Sequence, residues 1–329
     1  MPSCGVHAPV AGLPALVVRA TERLLLRTRV PRTTMAKRQV HSEARGGFGG
    51  GNASFYEKTR PGYPATGMRA IETEILRCGV SNGADLLIDL GCGTGKFTRE
   101  ILPFAKAEGL PLVGIEPVEA MRKQFEDVLP GVLVSEGTGE NLPLLASSAR
   151  AVIAAQCFHW MASTATLREV HRVLAPGGLF VLVWNTRDCS RPWVRALEDI
   201  IDPFYGDNVP RQQGGAWKRP FQDLQQRSSK PGSDADGNRP GPLFGELTEK
   251  HFQNSQLLTA DELDGRMRSI SVIATRPETD RRAASRRARE LIETHPDTRD
   301  DLRSTGKVEL FYDTEVYWCR KLGAPSAQQ

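Results

Sequence analysis

Unbroken apolar runs alternate with helix-like segments from Leu86 onward. The apolar runs are LLIDLG, PLVGIEP, GVLVSEG, RAVIAAQCF and GLFVLVWN. Between them, apolar residues recur at helical spacing in KFTREILPFAKAEG, VEAMRKQFEDVL and ATLREVHRVLAPGG. Continuous rather than alternating runs are typical of strands that are buried on both faces. The pattern therefore predicts an α/β fold with a doubly wound, mostly parallel sheet, whose ligands bind beyond the carboxyl ends of the strands.

After Asn185 the alternation of apolar runs and helix-like segments becomes irregular. RPWVRALEDIIDPF indicates a helix, whereas residues 206–245 are rich in Gly, Pro, Gln and Ser and show little periodicity. We interpret 206–245 as a low-complexity insertion, with SSKPGSDADGNRPG either disordered or a long surface loop. Order is expected to return in 246–329, with the Arg-rich helix DRRAASRRARELIETHP and the alternating, aromatic run KVELFYDTEVYWC. That last run predicts an antiparallel edge strand completing the sheet that begins in the core, residues 53–205.

Composition narrows the class of protein. The chain has 329 residues, of which 40% are hydrophobic, enough for a sizeable core. No apolar run approaches the roughly 18 to 20 residues that a membrane span needs. The six cysteines include no C-x-x-C pair, so neither a metal site nor a disulfide framework is predicted, and a reducing compartment is favoured.

Positive charge is concentrated at the N-terminus. The formal net charge is +4, but residues 1–45 carry eight basic and two acidic residues, which leaves −2 for the remainder. The body therefore lacks the strong positive field that nucleic-acid binding needs, and a nucleic-acid partner is not expected. Within the extension 1–52, LPALVVRATERLLLRTRV resembles a transit peptide, and ARGGFGGGN is typical of a flexible linker. Two alternatives stay open: the extension is disordered, or the protein starts at Met35. The predicted location is therefore cytoplasmic, or mitochondrial or plastid if the extension is a transit peptide.

The stretch LLIDLGCGTGKFTREI contains a glycine loop between a strand and a helix. A P-loop is excluded because Leu90 occupies its first Gly position and Phe97 follows Lys96. The dinucleotide fingerprint G-x-G-x-x-G fits poorly as well, because its third Gly position is Lys96. Asp89 lies two residues before the first glycine, where a carboxylate would be badly placed beside a pyrophosphate. It suits a cofactor with a positive charge near the loop, such as S-adenosylmethionine.

DLGCGTG closely matches the first motif of the class I S-adenosylmethionine-dependent methyltransferases, which this chain resembles. The resemblance implies a seven-stranded Rossmann-like sheet and S-adenosyl-L-methionine as cofactor. It places Asp89 near the ammonium group, directly or through water. The loop backbone would approach the cofactor at Gly91, Cys92, Gly93, Thr94 and Gly95. Free N–H groups of the next helix would face the methionyl carboxylate.

Later motifs extend the resemblance over about residues 55–204. EPVEAM is similar to the second motif, which implies that Glu116 accepts the ribose hydroxyls, with Pro117 and Met121 beside the adenosine. GTGENLPL is similar to the segment near the adenine, which adds the residues Thr138, Gly139 and Glu140. The fourth strand places Gln156 at its carboxyl edge. HRVLAPGGLFVLVWN and the lead-in YEKTRPGYP point to the methyltransferase type 11 group, and the chain is similar there to trans-aconitate methyltransferases.

The function expected from these motifs is methyl transfer to a small-molecule acceptor, for which a carboxylic acid is one candidate. A carboxylate needs no general base, whereas a hydroxyl, amine or carbon acceptor could use His159; otherwise His159 packs against the cofactor. Candidates on the acceptor side are Arg60, Tyr63, Trp160, Arg187 and Asp188. An RNA or protein methyltransferase, a non-catalytic cofactor-binding relative and a dehydrogenase are the alternatives, and the sequence leaves the acceptor and the oligomeric state open.

Overall fold

The computed structural model describes residues 60–80, 83–206, 209–229 and 242–323. The predicted N-terminal extension 1–52, with its targeting and linker segments, lies outside the described residues. So does most of the predicted disordered stretch within the 206–245 insertion, residues 230–241. No helix in the part of the chain that the structure describes is both long enough and apolar enough to cross a membrane.

One mixed sheet organises the described chain. Its strands are β1 (Leu86–Leu90), β2 (Leu112–Ile115), β3 (Leu133–Ser135), β4 (Ala149–Ala155), β5 (Leu174–Arg187), β6 (Thr248–Leu258) and β7 (Val308–Arg320). They lie in the order β3-β2-β1-β4-β5-β7-β6. The first five pair in parallel, and β7 is antiparallel to both of its neighbours. The chain order reverses between β1 and β4, which creates the switch point where such sheets bind ligands.

Helices cover both faces of the sheet. They are α1 (Ala65–Leu76), α2 (Lys96–Ala107), α3 (Glu119–Val128), α4 (Thr164–Val173), α5 (Pro192–Ile201), α6 (Arg219–Ser229), α7 (Ala260–Arg268), α8 (Ser271–Ala274), α9 (Glu278–Thr294) and α10 (Arg299–Thr305). Two of them begin at side-chain caps. Ser163 accepts the Thr166 N–H before α4, and Thr259 forms a capping box with Glu262 before α7.

The continuous apolar runs are explained by two separate cores. Successive residues of the central strands point to opposite faces, so Ile88 and Val152 join one core while Leu87 and Ile153 join the other. The first core packs under α4 and α6, and the second packs under α1 and α2. A third core lies under a helical cap, defined as α5 with α7, α8 and α9, near the carboxyl end of β5. This cap closes one side of the candidate site.

The structure confirms the α/β fold with its doubly wound, seven-stranded sheet and an antiparallel strand near one end. The final strand, expected at the edge, is one place inside it, because β6 pairs along the whole outer side of β7. Hydrophobic patterning predicted no strand at 248–258, since this outermost strand is largely exposed and mostly polar. The insertion 206–245, interpreted as having little regular structure, contains α6 and the buried Trp217. An aromatic cluster including Phe158 and Phe221 holds that helix against the sheet.

Candidate active site

The glycine loop joins β1 to α2 at the switch point of the sheet. Gly91, Gly93 and Gly95 all have positive φ, at 69°, 55° and 88°. A Cβ atom at Gly91 would lie 2.8 Å from the Sγ of Cys157. One at Gly95 would lie 2.6 Å from a methyl carbon of Leu129. Both the backbone conformation and the packing therefore require glycine at these two positions.

Asp89 is a buried carboxylate with one unsatisfied oxygen. Its side chain is at the carboxyl end of β1 and is 1% exposed. Oδ2 accepts a hydrogen bond of 2.5 Å from Oγ1 of Thr98, whereas Oδ1 has no partner among the described residues. Burial, and then the negative charge of Glu116, raises the pKa of Asp89 to about 7. A buried carboxylate of this kind favours a positively charged ligand, which would restore the ionised form.

A cavity of about 540 Å³ lies against the loop. Its walls include the predicted cofactor residues Asp89, Gly91, Cys92, Gly93, Thr94 and Gln156, together with Arg60 and Tyr63. The N-cap residue of α2 is Gly95, which has no side chain to cap the first turn. Its first residues, Lys96 and Phe97, also line the cavity. The helix start can therefore offer its amide N–H groups to an anionic group, such as a carboxylate.

Glu116 directly follows β2, next to the loop, and it is 7% exposed. Its Oε2 accepts from the N–H of Gly93 at 3.0 Å, and its Oε1 accepts from the N–H of Val118 at 2.8 Å. Burial raises the pKa of Glu116 to about 7, although these two backbone hydrogen bonds oppose the shift. Each carboxylate oxygen keeps a second lone pair, so Glu116 can still accept from a ligand hydroxyl.

The other predicted cofactor residues do not line the 540 Å³ cavity. This group comprises Gly95, Glu116, Pro117, Met121, Thr138, Gly139 and Glu140. A Cβ atom at Gly139 would lie 2.7 Å from the Sδ of Met161, whose methyl carbon is 3.4 Å from the Cβ position of Gly91. Glu140 accepts from Oγ of Ser163 at 3.0 Å. Met161 therefore lies between Gly139 and the first glycine of the loop.

A second cavity, of about 700 Å³, adjoins the first. The two share the wall residues Arg60, Gln156, Asn185 and Arg266. The second cavity is also lined by the predicted residues His159, Trp160 and Arg187, by the aromatic residues Trp184 and Tyr205, and by the segment 210–213. Among the described residues, its walls contain four arginines and no acidic residue. The polarity and positive charge of these walls suit an anionic ligand.

His159 is held in one orientation by the indole of Trp184. Nε1 of Trp184 donates to Nδ1 of His159 over 3.2 Å. An indole N–H can only donate, so Nδ1 must carry the lone pair, and in the neutral ring the proton is on Nε2. Burial, and then the positive charge of Arg60, lowers the pKa of His159 to about 3. At neutral pH this side chain therefore faces the second cavity as a neutral ring with an N–H donor.

Two wall arginines already have acidic partners. Arg187 forms an ion pair with Glu198, and both side chains are nearly buried, at 9% and 7% exposure. Arg211 forms an ion pair of 3.0 Å with Asp202 and stacks on Tyr205. The predicted acceptor-side residue Asp188 lies in neither cavity wall. Its carboxylate accepts hydrogen bonds from Ser190 in the turn after β5.

The N-terminal lead-in crosses the first cavity and is fixed at several points. The carbonyl oxygen of Gly62 accepts from the Nδ2 atoms of Asn185 at 3.0 Å and Asn254 at 2.8 Å. Nη2 of Arg60 donates to the carbonyl oxygen of Ser269 at 2.7 Å. The ring of Tyr63 packs edge-on against Phe97, with centroids 5.3 Å apart. These contacts hold Arg60 and Tyr63 in the wall of the first cavity.

Several wall residues were missed by sequence reasoning, among them Asn185, Trp184, Gln212 and Arg266. Asn185 could have been found from its place near the carboxyl end of a parallel strand. Arg266 gave no such signal, because it comes from the helical cap, and only the tertiary fold brings the cap to the sheet.

Similar proteins are known from sequence and from structure. The family described as "Methyltransferase domain" matches residues 88–182. An uncharacterized methyltransferase-like protein of Schizosaccharomyces pombe is 31% identical over 267 residues, which cover 81% of this chain and 92% of that protein. An uncharacterized methyltransferase of Mycobacterium tuberculosis is 31% identical over 73% of this chain and 84% of its own length. Among solved structures, the YcgJ protein of Bacillus subtilis covers 79% of this chain and all of its own, with 17% identity and a TM-score of 0.45.

The acid and glycine loop at the switch point of this sheet define a class I methyltransferase. The chain belongs to the methyltransferase family represented by these relatives, because its identity of 31% extends over most of both chains. It is therefore an enzyme that transfers methyl groups.

Proposed function

We propose that the protein transfers a methyl group from S-adenosylmethionine to a small-molecule acceptor that carries a carboxylate. The observation that carries this proposal is Oδ1 of Asp89, a buried carboxylate oxygen without a hydrogen-bond partner among the described residues. A positively charged hydrogen-bond donor would satisfy this oxygen and stabilise its ionised form, and the ammonium group of S-adenosylmethionine is such a donor. The likeness to trans-aconitate methyltransferases at the level of motifs supports a carboxylic acid as acceptor.

The residues of the first cavity fit the donor group by group. Asp89 would hold the ammonium group, and the amide N–H groups at the start of α2, whose N-cap is Gly95, would hold the methionyl carboxylate. Glu116, beside the loop, would accept from the ribose hydroxyls, with Thr138, Gly139 and Glu140 further along towards the adenine. When bound, the donor supplies a methyl group that its sulfonium has activated for in-line attack. The shared wall between the two cavities, which includes Gln156 and Asn185, would then hold the reacting groups in line.

A carboxylate acceptor agrees with the polarity of the second cavity. Its oxygen is already ionised at neutral pH, so no residue has to remove a proton during the transfer. His159 is therefore proposed to donate from Nε2–H to the acceptor, and its neutral state is enforced by burial and by Arg60. A role as general base is disfavoured, because the free lone pair of the ring is taken up by Trp184.

The cofactor proposal is tested by calorimetric titration of the full-length protein with S-adenosylhomocysteine and, separately, with NAD. We expect micromolar binding of the first and none of the second. A transfer assay with isotope-labelled donor and a panel of small carboxylic acids, a structured RNA and a protein mixture then tests the acceptor class. Binding of NAD alone would contradict the cofactor, and methylation of RNA or protein without any acid would contradict the acceptor class.

Replacement of His159 by Gln should lower kcat by less than about tenfold, because the amide can still donate a hydrogen bond, whereas removal of a general base costs roughly 10²- to 10⁴-fold. The tautomer can be measured directly by ¹⁵N NMR of histidine-labelled protein, with the resonance of His159 assigned by its loss in H159Q. We expect the Nε2–H form in the wild type and a mixture of tautomers in W184F. A protonated or Nδ1–H ring at pH 7 would contradict the proposed role.

A further inference from the structure

Arg266 is a buried cation whose anionic partner is missing from the described residues. It lies near the end of α7 and is 4% exposed. Its two hydrogen bonds are long: Nε donates to Oη of Tyr312 at 3.4 Å, and Nη1 donates to Oγ of Ser269 at 3.5 Å. No carboxylate of the described chain lies within 4 Å of its guanidinium group. A guanidinium has five N–H donors, so most of its capacity is unused.

The nearby carboxylate of Glu198 is not the ion-pair partner of Arg266. Glu198 is close enough for Arg266 to influence its ionisation, and so is Arg211. Burial raises the pKa of Glu198, but the ion pair with Arg187, aided by these two cations, brings it below its ordinary value. Glu198 is therefore already committed to Arg187, and the ionised pair leaves the charge of Arg266 without a partner of its own.

A second arginine at the end of the same helix has the carboxylate partners that Arg266 lacks. Arg268, two residues further on, pairs with Asp264 at 3.0 Å and with Glu278 at 3.2 Å. A buried charge without a partner is costly, so it persists where function requires it. Arg266 lines both cavities and thus lies at the boundary between them. Its missing partner would therefore be placed where donor and acceptor meet.

We propose that Arg266 binds the carboxylate of the acceptor and determines the preference of the enzyme for negatively charged acceptors. This inference rests on the proposed methyl transfer. The planar, forked guanidinium matches a carboxylate in a bidentate pair. The carboxylate oxygen attacks the methyl carbon, the carbon–sulfur bond breaks, and its electron pair remains on sulfur. The products are a methyl ester and the thioether of S-adenosylhomocysteine, and no proton is released.

The test compares Arg266→Met, Arg266→Lys and the control Arg268→Met in the full-length protein. The probes are a panel of small carboxylic acids and their primary amides, assayed for methyl transfer and for binding to protein saturated with S-adenosylhomocysteine. We expect the wild type to bind and methylate at least one acid and not its amide. R266M should lower kcat/KM for that acid by about 100-fold or more, mainly through KM, with R266K in between and R268M close to wild type.

Two further readouts separate a binding role from a structural one. The affinity of R266M for S-adenosylhomocysteine should stay within about twofold of the wild-type affinity. If the wild type itself does not bind S-adenosylhomocysteine, the proposed methyl transfer fails, and the role of Arg266 is a separate question. The unfolding temperature of R266M without acceptor should equal or exceed that of the wild type, because an unpaired buried cation is replaced by an apolar side chain. The proposal is overturned if R266M is unstable, if acid and amide react equally, or if no acid binds the saturated wild type.

Discussion

Replacement of Asp89 by Asn is expected to weaken the binding of S-adenosylhomocysteine by about 100-fold or more, which corresponds to roughly 3 kcal/mol. The variant leaves the ligand's ammonium group in a buried site without its counter-charge. Asn keeps the shape of the side chain and an oxygen for the hydroxyl of Thr98, which now donates to Oδ2 of Asp89 over 2.5 Å. Calorimetry at pH 8 measures the change, and the unfolding temperature without ligand should not fall.

The matched control is Asp85→Asn. Asp85 directly precedes the same strand at its opposite end, where it pairs with Arg150 at 2.7 Å and is 44% exposed. This control should bind S-adenosylhomocysteine like the wild type. Equal affinity of D89N and wild type would remove the main support for the proposed cofactor. A drop in the unfolding temperature of D89N would instead show that the carboxylate is structural.

The same carboxylate predicts how pH changes the protein. Because the folded pKa of Asp89 is raised to about 7 from 3.8, the folded state holds a proton that the unfolded chain has released. The stability of the ligand-free protein should therefore fall as pH rises from about 4 through 7. Binding of a cation favours the ionised form, so affinity should rise over pH 6 to 8. Glu116, with a pKa of about 7, contributes in the same range, and D89N should reduce the pH dependence without abolishing it.

The fold and the first cavity could be predicted because their causes are local in the sequence. Strands buried on both faces give continuous apolar runs, and a backbone with positive φ at Gly91 and Gly95 requires glycine whatever surrounds it. The acid before the loop is equally local, since a carboxylate at the end of a buried strand is costly unless a ligand or a partner compensates it. These features are readable without knowledge of any tertiary contact.

The second cavity could not be predicted in the same way. Its wall combines Trp184 of β5, Arg211 of an irregular segment and Arg266 of the helical cap, which are far apart in sequence. Arg266 and Arg268 look alike in the run GRMRS, yet one is buried without a carboxylate partner among the described residues and the other has two. Which arginine acts on a ligand depends on where the acids lie in space. The same reason explains Arg187, whose place at the carboxyl end of β5 predicted an acceptor role but whose partner Glu198 lies on α5.

Arg187 is expected to contribute more to stability than to acceptor binding. Replacement by Met leaves Glu198 buried without its ion-pair partner, and breaking such a pair typically costs about 3 to 5 kcal/mol. Domains of this kind have only about 5 to 15 kcal/mol of stability in total, so the yield of folded protein should fall as well. Urea unfolding measures the loss as a lower midpoint with an unchanged slope.

Two further variants test whether the stability lost in R187M comes from the broken ion pair with Glu198. Arg187→Met combined with Glu198→Leu should recover most of the stability, because an apolar pair replaces the ion pair without leaving a charge buried. Lys123→Met removes one partner of the exposed pair with Glu119 on α3, where both side chains are about 70% exposed, and should leave the urea midpoint nearly unchanged. If R187M were as stable as K123M, Arg187 would not be held by Glu198 in solution. Arg187 would then be available to bind the acceptor, and Arg187 as well as Arg266 would be a candidate partner for its carboxylate.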